Sequence, residues 1–226
     1  MSNKQHSEQH AALLKKNKLR QDEVEEVKAV VKKYLIPCVT AVVVVCVGFM
    51  AVGLVRSVKQ KRLDNACTAF QEANVQMALN PIQAIDSYIS LADKYDTSPY
   101  APIALMRAAM AKYNRDDYVG AEALFTQVAD EYADHELALT AEYNGIICRE
   151  ERGLVEDAAK QYASFAEKNR ESYLSTAARM AQARCLKVLG KQKEALFIYE
   201  ELAILNTPWQ ASAAEKQALL SKKTAL

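Results

Sequence analysis

Glycine, proline and histidine are scarce in this sequence, and its charges nearly cancel. Among 226 residues there are 6 glycines, 5 prolines and 3 histidines. Hydrophobic residues make up 50% of the chain, so a folded protein is expected rather than a disordered one, and the low number of helix breakers favours an all-α fold. The net charge of +1 offers no overall basic field to a nucleic acid.

Motifs for catalysis and metal binding are also lacking. The sequence has no glycine-rich phosphate loop and no HExxH or GxSxG pattern. His6 and His10 lie four residues apart in a polar arm but have no partners that complete a set of metal ligands, and His135 stands alone. The sequence therefore predicts no enzyme, no cofactor, no metal site and no small-molecule substrate.

One long apolar run lies near the N-terminus. Residues 35–55, LIPCVTAVVVVCVGFMAVGLV, contain no charged side chain. A helix of this length spans a hydrocarbon core of roughly 30 Å, because each residue adds about 1.5 Å. The run is longer than the apolar part of a signal peptide, and Arg56 and Lys59 follow it without a cleavage site. It predicts a single transmembrane helix that acts as an uncleaved signal anchor.

The basic residues around this run indicate an orientation. Residues 15–34 hold seven Lys and Arg side chains, whereas residues 56–75 hold four. Since positive loops favour the cytoplasm, residues 1–34 are expected to form a cytoplasmic arm and the C-terminal domain to be periplasmic. In a Gram-negative bacterium, this orientation corresponds to a single-pass protein of the inner membrane. A cytoplasm-facing membrane receptor with reversed topology is the alternative.

A period of 37 residues organises the rest of the chain. Four sets of positions keep one chemical type through four copies, at spacings of three and four that place them on one helical face. They are Ala84, Ala121, Ala158 and Ala195; Tyr88, Phe125, Tyr162 and Tyr199; Leu91, Val128, Phe165 and Leu202; and Ala92, Ala129, Ala166 and Ala203. The pattern predicts a solenoid of about four helical hairpins, with these residues on the second helix of each.

The remaining boundaries follow from the same register. The expected parts are a stem and first helix at 56–80, repeats at 81–210, and a capping helix with a tail at 211–226. The first helices of the later hairpins are expected near 100–114, 137–151 and 174–188. Asp116, Gly153 and Gly190 occupy the turns within these hairpins, where glycine supplies a left-handed conformation. Trp209 is expected to seal the C-terminal end of the core.

The repeats resemble a known family. Residues 117–121 (DYVGA), together with Leu124, Phe125 and Val128, are similar to the second-helix signature of a tetratricopeptide repeat. The usual repeat has about 34 residues, so the additional three are expected in the loops between hairpins. The first helices depart from the family pattern because no tryptophan stands at their start. The resemblance implies a protein that binds other proteins.

A second resemblance covers residues 22–210. An acidic and basic segment at 22–28, the anchor, a basic stem and long repeats are together similar to the ancillary Sec translocon subunit family (YfgM type). That resemblance implies a scaffold that links the translocon to periplasmic chaperones or to an emerging chain. The repeats also resemble a periplasmic cell-division coordinator and outer-membrane assembly lipoproteins. A repeat adaptor in envelope assembly or cell division is therefore an alternative function.

The first helices supply the candidate binding surface, because they line the concave face in the tetratricopeptide family. Apolar and basic side chains recur on them at spacings of three and four. The candidate groove residues are Met106, Met110, Tyr113, Tyr143, Ile147, Met180 and Arg184. Methionine adapts to irregular partners, so a groove for a hydrophobic peptide segment is one interpretation. The other is that these side chains pack against neighbouring helices.

Two cysteines occupy equivalent positions in successive first helices. Cys148 and Cys185 are 37 residues apart. The axes of packed helices lie about 8–10 Å apart, whereas a disulfide needs Cα atoms closer than about 7 Å. Both are therefore expected to be small packing residues. In an oxidising compartment, oxidation of these two or of Cys67 remains an alternative.

Overall fold

A computed structural model describes residues 18, 20–21, 23–205 and 208–224 of the chain. The expectations for His6, for His10, for most of the N-terminal arm and for the end of the tail lie outside these residues. Every regular element in the described part is a helix, which confirms the predicted fold class. The chain divides into two compact units, Met1–Lys61 and Arg62–Leu226.

The apolar segment belongs to the first unit. Residues 23–30 are helical, a π-helical turn follows at Val31–Leu35, and helix α1 (Ile36–Leu79) continues from there. Pro37 has no backbone N–H to donate to the carbonyl four residues earlier, which explains the wider turn before it. By length and composition one helix of the described residues, Glu23–Leu79, could cross a membrane, and its most apolar stretch is not buried.

Helical hairpins build the second unit. The helices that follow α1 are α2 (Pro81–Lys94), α3 (Tyr100–Tyr113), α4 (Tyr118–Glu131), α5 (Ala138–Glu151), α6 (Val155–Lys168), α7 (Tyr173–Val188), α8 (Gln192–Ala203) and α9 (Gln210–Thr224). The predicted first helices correspond to α3, α5 and α7, and the predicted capping helix corresponds to α9. The stem has no break before Leu79, and Asn74 and Gln76 near its end hydrogen-bond to α2.

The starts of the second helices follow from the local sequence. The side chain of Asn80 accepts a hydrogen bond from the backbone N–H three residues later, and Pro81 fits the first turn because its missing N–H would have no partner there. Asp117 caps α4 in the same way, through the N–H of Gly120. The Lys112 ammonium and this N–H hold the pKa of Asp117 below its usual range.

Most of the repeated positions form the core of the hairpins. The alanines of the first set and the aromatic residues of the second set are all buried in α2, α4, α6 and α8. The third set is buried as well. In the fourth set, Ala92 and Ala166 are buried, whereas Ala129 and Ala203 are half-buried. Small alanines allow the preceding helix to approach closely, and the aromatic rings fill the space between hairpins. The 37-residue period therefore identifies the side chains that face the core.

The C-terminal end of the stack differs from the prediction in one detail. Trp209 lies just before α9 and is exposed, so it does not seal the core. Ala213 and Leu220, which α9 contributes, are buried in the terminal cluster instead. Alanine permits close approach of the helix axis, and a bulky indole in the preceding loop is not needed to fill the space.

Three turns between paired helices adopt the left-handed conformation. Gly153 and Gly190 have φ of 79° and 76°, and Asp116 at the equivalent position has φ of 61°. The carboxylate of Asp116 accepts a hydrogen bond of 2.7 Å from the Tyr118 hydroxyl. Aspartate tolerates this region better than most residues because its short side chain can bond locally, so the predicted turn forms even without glycine.

The same substitution is expected to have opposite effects at two glycines. Gly153→Ala places a side chain at positive φ and should lower the free energy of unfolding by about 1–2 kcal/mol. Gly145→Ala lies inside α5, where an added Cβ would stand 3.9 Å from the Phe125 Cβ, an ordinary contact. Its better helix propensity should raise the free energy of unfolding by about 0.5–1 kcal/mol.

Urea denaturation of both variants, followed by circular dichroism, measures these changes. The two substitutions add the same methyl group eight positions apart, so each serves as the control for the other. A shift of both midpoints in the same direction would contradict the assignment of the turn and of the helix interior.

Candidate functional site

The predicted groove residues lie on α3, α5 and α7, the first helices of three hairpins. Met110 on α3 and Arg184 on α7 are exposed, and Tyr143 on α5 is half-buried. Met106, Tyr113 and Ile147 are half-buried as well. Exposed and half-buried side chains thus occur on all three helices, and α3 presents the most apolar surface among them.

Met180 differs from the other candidates. Its side chain is 7% exposed and belongs to the hydrophobic cluster that also contains Ala213 and Leu220 of α9. Met106, at the equivalent position of α3, only packs on the edge of its cluster. The capping helix α9 contributes residues to the cluster on α7, the first helix of the fourth hairpin. Met180 is therefore buried, whereas Met106 at the equivalent position of α3 is only partly covered. Met180 acts as a core residue.

Tyr143 connects the candidate surface to the core beneath it. Its ring centroid lies 5.7 Å from that of Tyr162 and 5.7 Å from that of Phe165, both on α6. Tilted aromatic pairs at this distance are favourable beyond the area that they bury. Tyr143 and Ile147 therefore have a packing role, and the part of each that is exposed remains available to a partner.

A carboxylate organises the basic end of the surface. Glu150 of α5 accepts two hydrogen bonds from Arg184, of 2.8 Å and 2.6 Å, and one of 3.0 Å from the Tyr162 hydroxyl. The Glu150 side chain is only 16% exposed. Burial alone would raise the pKa of Glu150, but the bonds from Arg184 and Tyr162 outweigh it and hold this pKa below its usual range. The cluster joins α5, α6 and α7.

The candidate residues deduced from the sequence include Arg184 but not its partner Glu150. Glu150 and Arg184 are 34 residues apart, three fewer than the 37-residue repeat. In the next hairpin, Arg184 therefore lies about one helical turn before the position equivalent to Glu150. That difference is the signal that could have identified the pair. A neighbouring bond from the Tyr113 hydroxyl to Glu151, 3.4 Å long, joins α3 to α5 similarly.

A recess lies among α4, α5 and α6, which the sequence did not predict. Its volume is about 360 Å³, and Gly145, Ile146 and Phe165 are among its apolar lining residues. Arg149 on its wall pairs with Glu122 at 2.6 Å and with Asp157 at 3.1 Å. The absence of a side chain at position 145, where the neighbouring repeats have alanine and glutamine, contributes to the recess.

The described residues contain no group of three or more His, Cys, Asp or Glu that could hold a metal ion. The Nδ1 of His135 accepts a hydrogen bond of 3.2 Å from the backbone N–H of Leu137, which is a local turn contact. All five cysteines lie in the described part, and none forms a disulfide there. Burial raises the pKa of Cys148 to about 11 and that of Cys185 to about 12, so both thiols are protonated at neutral pH.

Comparison with known proteins identifies the family of the repeats. A family model described as a tetratricopeptide repeat-like domain matches residues 28–144, just over half of the chain. No curated protein matches the sequence. The matched residues include the segment 117–121 and the hairpin α3–α4, where the resemblance to the second-helix signature was found. A fold of this kind is typically a module that binds proteins. The chain belongs to the tetratricopeptide repeat-like domain family.

Proposed function

We propose that the chain is a membrane-anchored scaffold for protein–protein interactions, and that it is an ancillary subunit of the Sec translocon. The observation that carries the scaffold is the stack of hairpins α1–α8, which presents Met110, Arg184 and parts of Tyr143 on its first helices. Repeat stacks of this type bind partners over extended surfaces rather than in deep catalytic pockets.

The anchor is supported by the exposure of the apolar segment. A soluble protein would bury a run such as residues 39–55, whereas all of these side chains are exposed in the first unit. A lipid bilayer is the environment in which such a helix is stable. Anchoring would raise the local concentration of the repeats next to a membrane complex, so that modest affinities suffice for binding.

The proposal of a translocon subunit depends on the orientation of the chain in the membrane and on its resemblance to the ancillary Sec translocon subunit family. Seven basic residues before the span against four after it favour a periplasmic repeat domain. Periplasmic chaperones and an emerging chain would then be within reach of α3 and α5. A bacterial inner membrane is the corresponding location.

Two charges in the apolar segment should abolish membrane insertion. Val43 and Val44 are exposed near its centre, and each arginine there costs about 2.5–3.5 kcal/mol of insertion free energy. We expect Val43→Arg with Val44→Arg to move the protein from the carbonate-resistant membrane fraction to the soluble fraction. Val43→Leu with Val44→Leu is the matched control and should fractionate like the wild type. Resistance of the arginine variant to carbonate would contradict the anchor.

Photocrosslinking in intact cells tests the partner. A photoreactive phenylalanine analogue replaces Met110 on the first-helix surface in one strain and Phe197, which is exposed on the second helix α8, in the other. We expect the Met110 position to capture translocon subunits or periplasmic chaperones in higher yield. Recovery of division or envelope-assembly proteins without any translocon component would overturn the translocon assignment. A reporter fused after the last residue checks which side of the membrane the repeats occupy.

A further inference from the structure

The tyrosines of the repeated aromatic position place their hydroxyls against the preceding first helix. The Tyr88 hydroxyl donates a 2.7 Å hydrogen bond to the side-chain oxygen of Asn74. The Tyr162 hydroxyl donates a 3.0 Å bond to Glu150. Phe125, at this position in the second hairpin, has no hydroxyl to satisfy. In the first and third hairpins the repeat therefore supplies both a buried phenol and an acceptor for it.

The fourth hairpin breaks this pattern. Tyr199 is 1% exposed, and its buried hydroxyl has no hydrogen-bond partner within the described part of the chain. Burial raises the pKa of Tyr199, so the proton stays on the oxygen and is available for donation. An unsatisfied buried hydroxyl is unfavourable and uncommon, which calls for a physical explanation.

The repeat register explains the missing acceptor. The position equivalent to Asn74 is occupied by Cys185, and the position equivalent to Glu150 is occupied by Lys187. A thiol is a weak acceptor, and an ammonium group has donors only. The side chains that satisfy Tyr88 and Tyr162 thus have no functional counterpart in the fourth hairpin.

A cleft opens beside this tyrosine. It has a volume of about 320 Å³ and lies among α7, α8 and α9. Its lining residues are Lys187, Gln192, Tyr199, Lys216, Leu219 and Leu220. The lining contains two ammonium groups and no carboxylate, and Lys216 donates a 3.2 Å hydrogen bond to the Ser212 hydroxyl. The lining of the cleft thus brings together Tyr199, positive charge and apolar leucine side chains.

We propose that this cleft binds a carboxylate carried next to an apolar residue on a partner polypeptide. The carboxylate accepts the hydrogen bond from the Tyr199 hydroxyl and pairs with Lys187, while the apolar neighbour contacts Leu219. The cluster in the third hairpin is the template, because there Glu150 joins Tyr162 to the cation Arg184. The choice of a polypeptide as ligand rests on the proposed scaffold function.

The chemistry of the lining distinguishes this ligand from other anions. Lysine pairs with phosphate and carboxylate alike as a point charge, but the arginine fork that favours phosphate is absent from the lining. Leu219 and Leu220 favour an anion that has an apolar neighbour. The volume of about 320 Å³ is near the lower end of ligand pockets. It suits a chain end, or one acidic side chain with its neighbour, rather than a long segment.

Peptide binding to the full chain in lipid nanodiscs tests the proposal by calorimetry. Acetyl-Ala-Leu-Leu with a free C-terminal carboxylate represents a chain end, and acetyl-Ala-Glu-Leu-amide represents an acidic side chain. Acetyl-Ala-Leu-Leu-amide lacks any carboxylate. We expect at least one acidic peptide to bind about tenfold more tightly than this amide, because a hydrogen bond to a charged group is lost in the amide. The preferred acidic peptide identifies the source of the carboxylate.

Two variants separate the site from general electrostatics. Tyr199→Phe should weaken binding of the acidic peptide about tenfold without lowering the melting temperature, since it removes an unsatisfied hydroxyl. Lys187→Glu should abolish binding and raise the melting temperature, because it restores the acceptor found at Glu150. Lys193→Glu on the exposed side of α8 makes the same charge change outside the cleft and should alter binding by less than about threefold.

Binding of the acidic peptide and the amide with equal affinity, or no binding of either, would overturn the proposal. Wild-type binding by the Tyr199→Phe variant would overturn it as well. Photocrosslinking from Met110 on α3 probes a surface to which no lining residue of this cleft belongs. A failure of the carboxylate site is therefore distinguishable from a failure of the proposed scaffold function.

Discussion

Replacement of Phe125 by alanine is expected to lower the free energy of unfolding by about 3–5 kcal/mol, the largest change among the substitutions considered. Phe125 is 1% exposed on α4 and belongs to a cluster that extends from Ala66 on α1 to Cys148 on α5. Its Cβ faces Gly145, which has no side chain that could relax into the space. The cavity left by the ring would therefore remain largely open, and the lost contacts would not be recovered.

Phe197→Ala is the matched control, since it removes the same atoms from another second helix. Phe197 on α8 is 60% exposed. Substitutions at such surface positions usually change the free energy of unfolding by less than about 0.5 kcal/mol. Urea denaturation in nanodiscs, monitored by circular dichroism, measures both variants. Equal losses of stability in the two would show that burial of the repeated aromatic does not hold the stack together.

The position of Phe125 in the stack predicts that Phe125→Ala also reduces the cooperativity of unfolding. Each hairpin of a repeat protein contacts mainly its neighbours, so stability depends on the interfaces between them. Phe125 lies in the hairpin between the stem and the α5–α6 pair. Its loss should weaken the coupling between these parts and broaden the unfolding transition. The control variant should keep the sharp transition of the wild type.

The repeated positions show why much of this fold can be predicted from the sequence. A column of alanine or of aromatic residues at a period of 37 arises when the same contact is made in each hairpin. Ala121 and Phe125 are buried because they make these repeated contacts, and the same contacts produce the period that is visible in the sequence. Gly153 and Gly190 were predictable as turn residues on similar grounds, because the left-handed conformation selects glycine.

The candidate surface was less predictable, because the ends of a repeat stack differ from its middle. Met106 and Met180 occupy the same register position, yet only Met180 is buried. The clustering of Met180 with α9 residues depends on a helix that has no counterpart in the repeat. The pattern of one helix cannot reveal what will cover it, so groove and core residues look alike in the sequence.

Charged partners were also not predictable from composition. Lys112 and Arg149 lie in the last turns of α3 and α5, and both are paired: Lys112 lies 2.7 Å from Asp117 and Arg149 lies 2.6 Å from Glu122. The Arg149–Glu122 pair joins α5 to α4, so its geometry depends on the rotation between neighbouring hairpins. The pairing of Glu150 with Arg184 is the case with the largest expected effect on stability.

Glu150→Gln is expected to lower the free energy of unfolding by about 1–2 kcal/mol at pH 7. The substitution keeps the shape of the side chain but removes the charge that pairs with Arg184, and hydrogen bonds to charged groups contribute about 1.5–3 kcal/mol. The expected loss is near the lower limit because the Arg184 side chain is 52% exposed, so water replaces part of the interaction. Tyr162 is fully buried and still finds an amide oxygen as its acceptor.

The stability difference between the wild type and Glu150→Gln should depend on pH, which a purely packing role of Glu150 would not produce. The pKa of Glu150 is lower in the folded protein than its ordinary value of 4.5. Its ionised form therefore stabilises the fold above about pH 4.5, and this contribution is lost as the pH falls through the lower folded value. The difference in unfolding free energy between the wild type and Glu150→Gln should shrink from pH 6 towards pH 3.

Arg184→Ala completes the measurement as a double-mutant cycle with Glu150→Gln. If the two side chains act as a pair, the double variant should lose less stability than the sum of the single variants. Glu156→Gln is the control, because Glu156 pairs with Lys160 on one exposed helix face and its loss should leave the denaturation midpoint nearly unchanged. Strict additivity in the cycle, or a difference that stays constant down to pH 3, would show that α5 and α7 are joined by packing and not by this carboxylate.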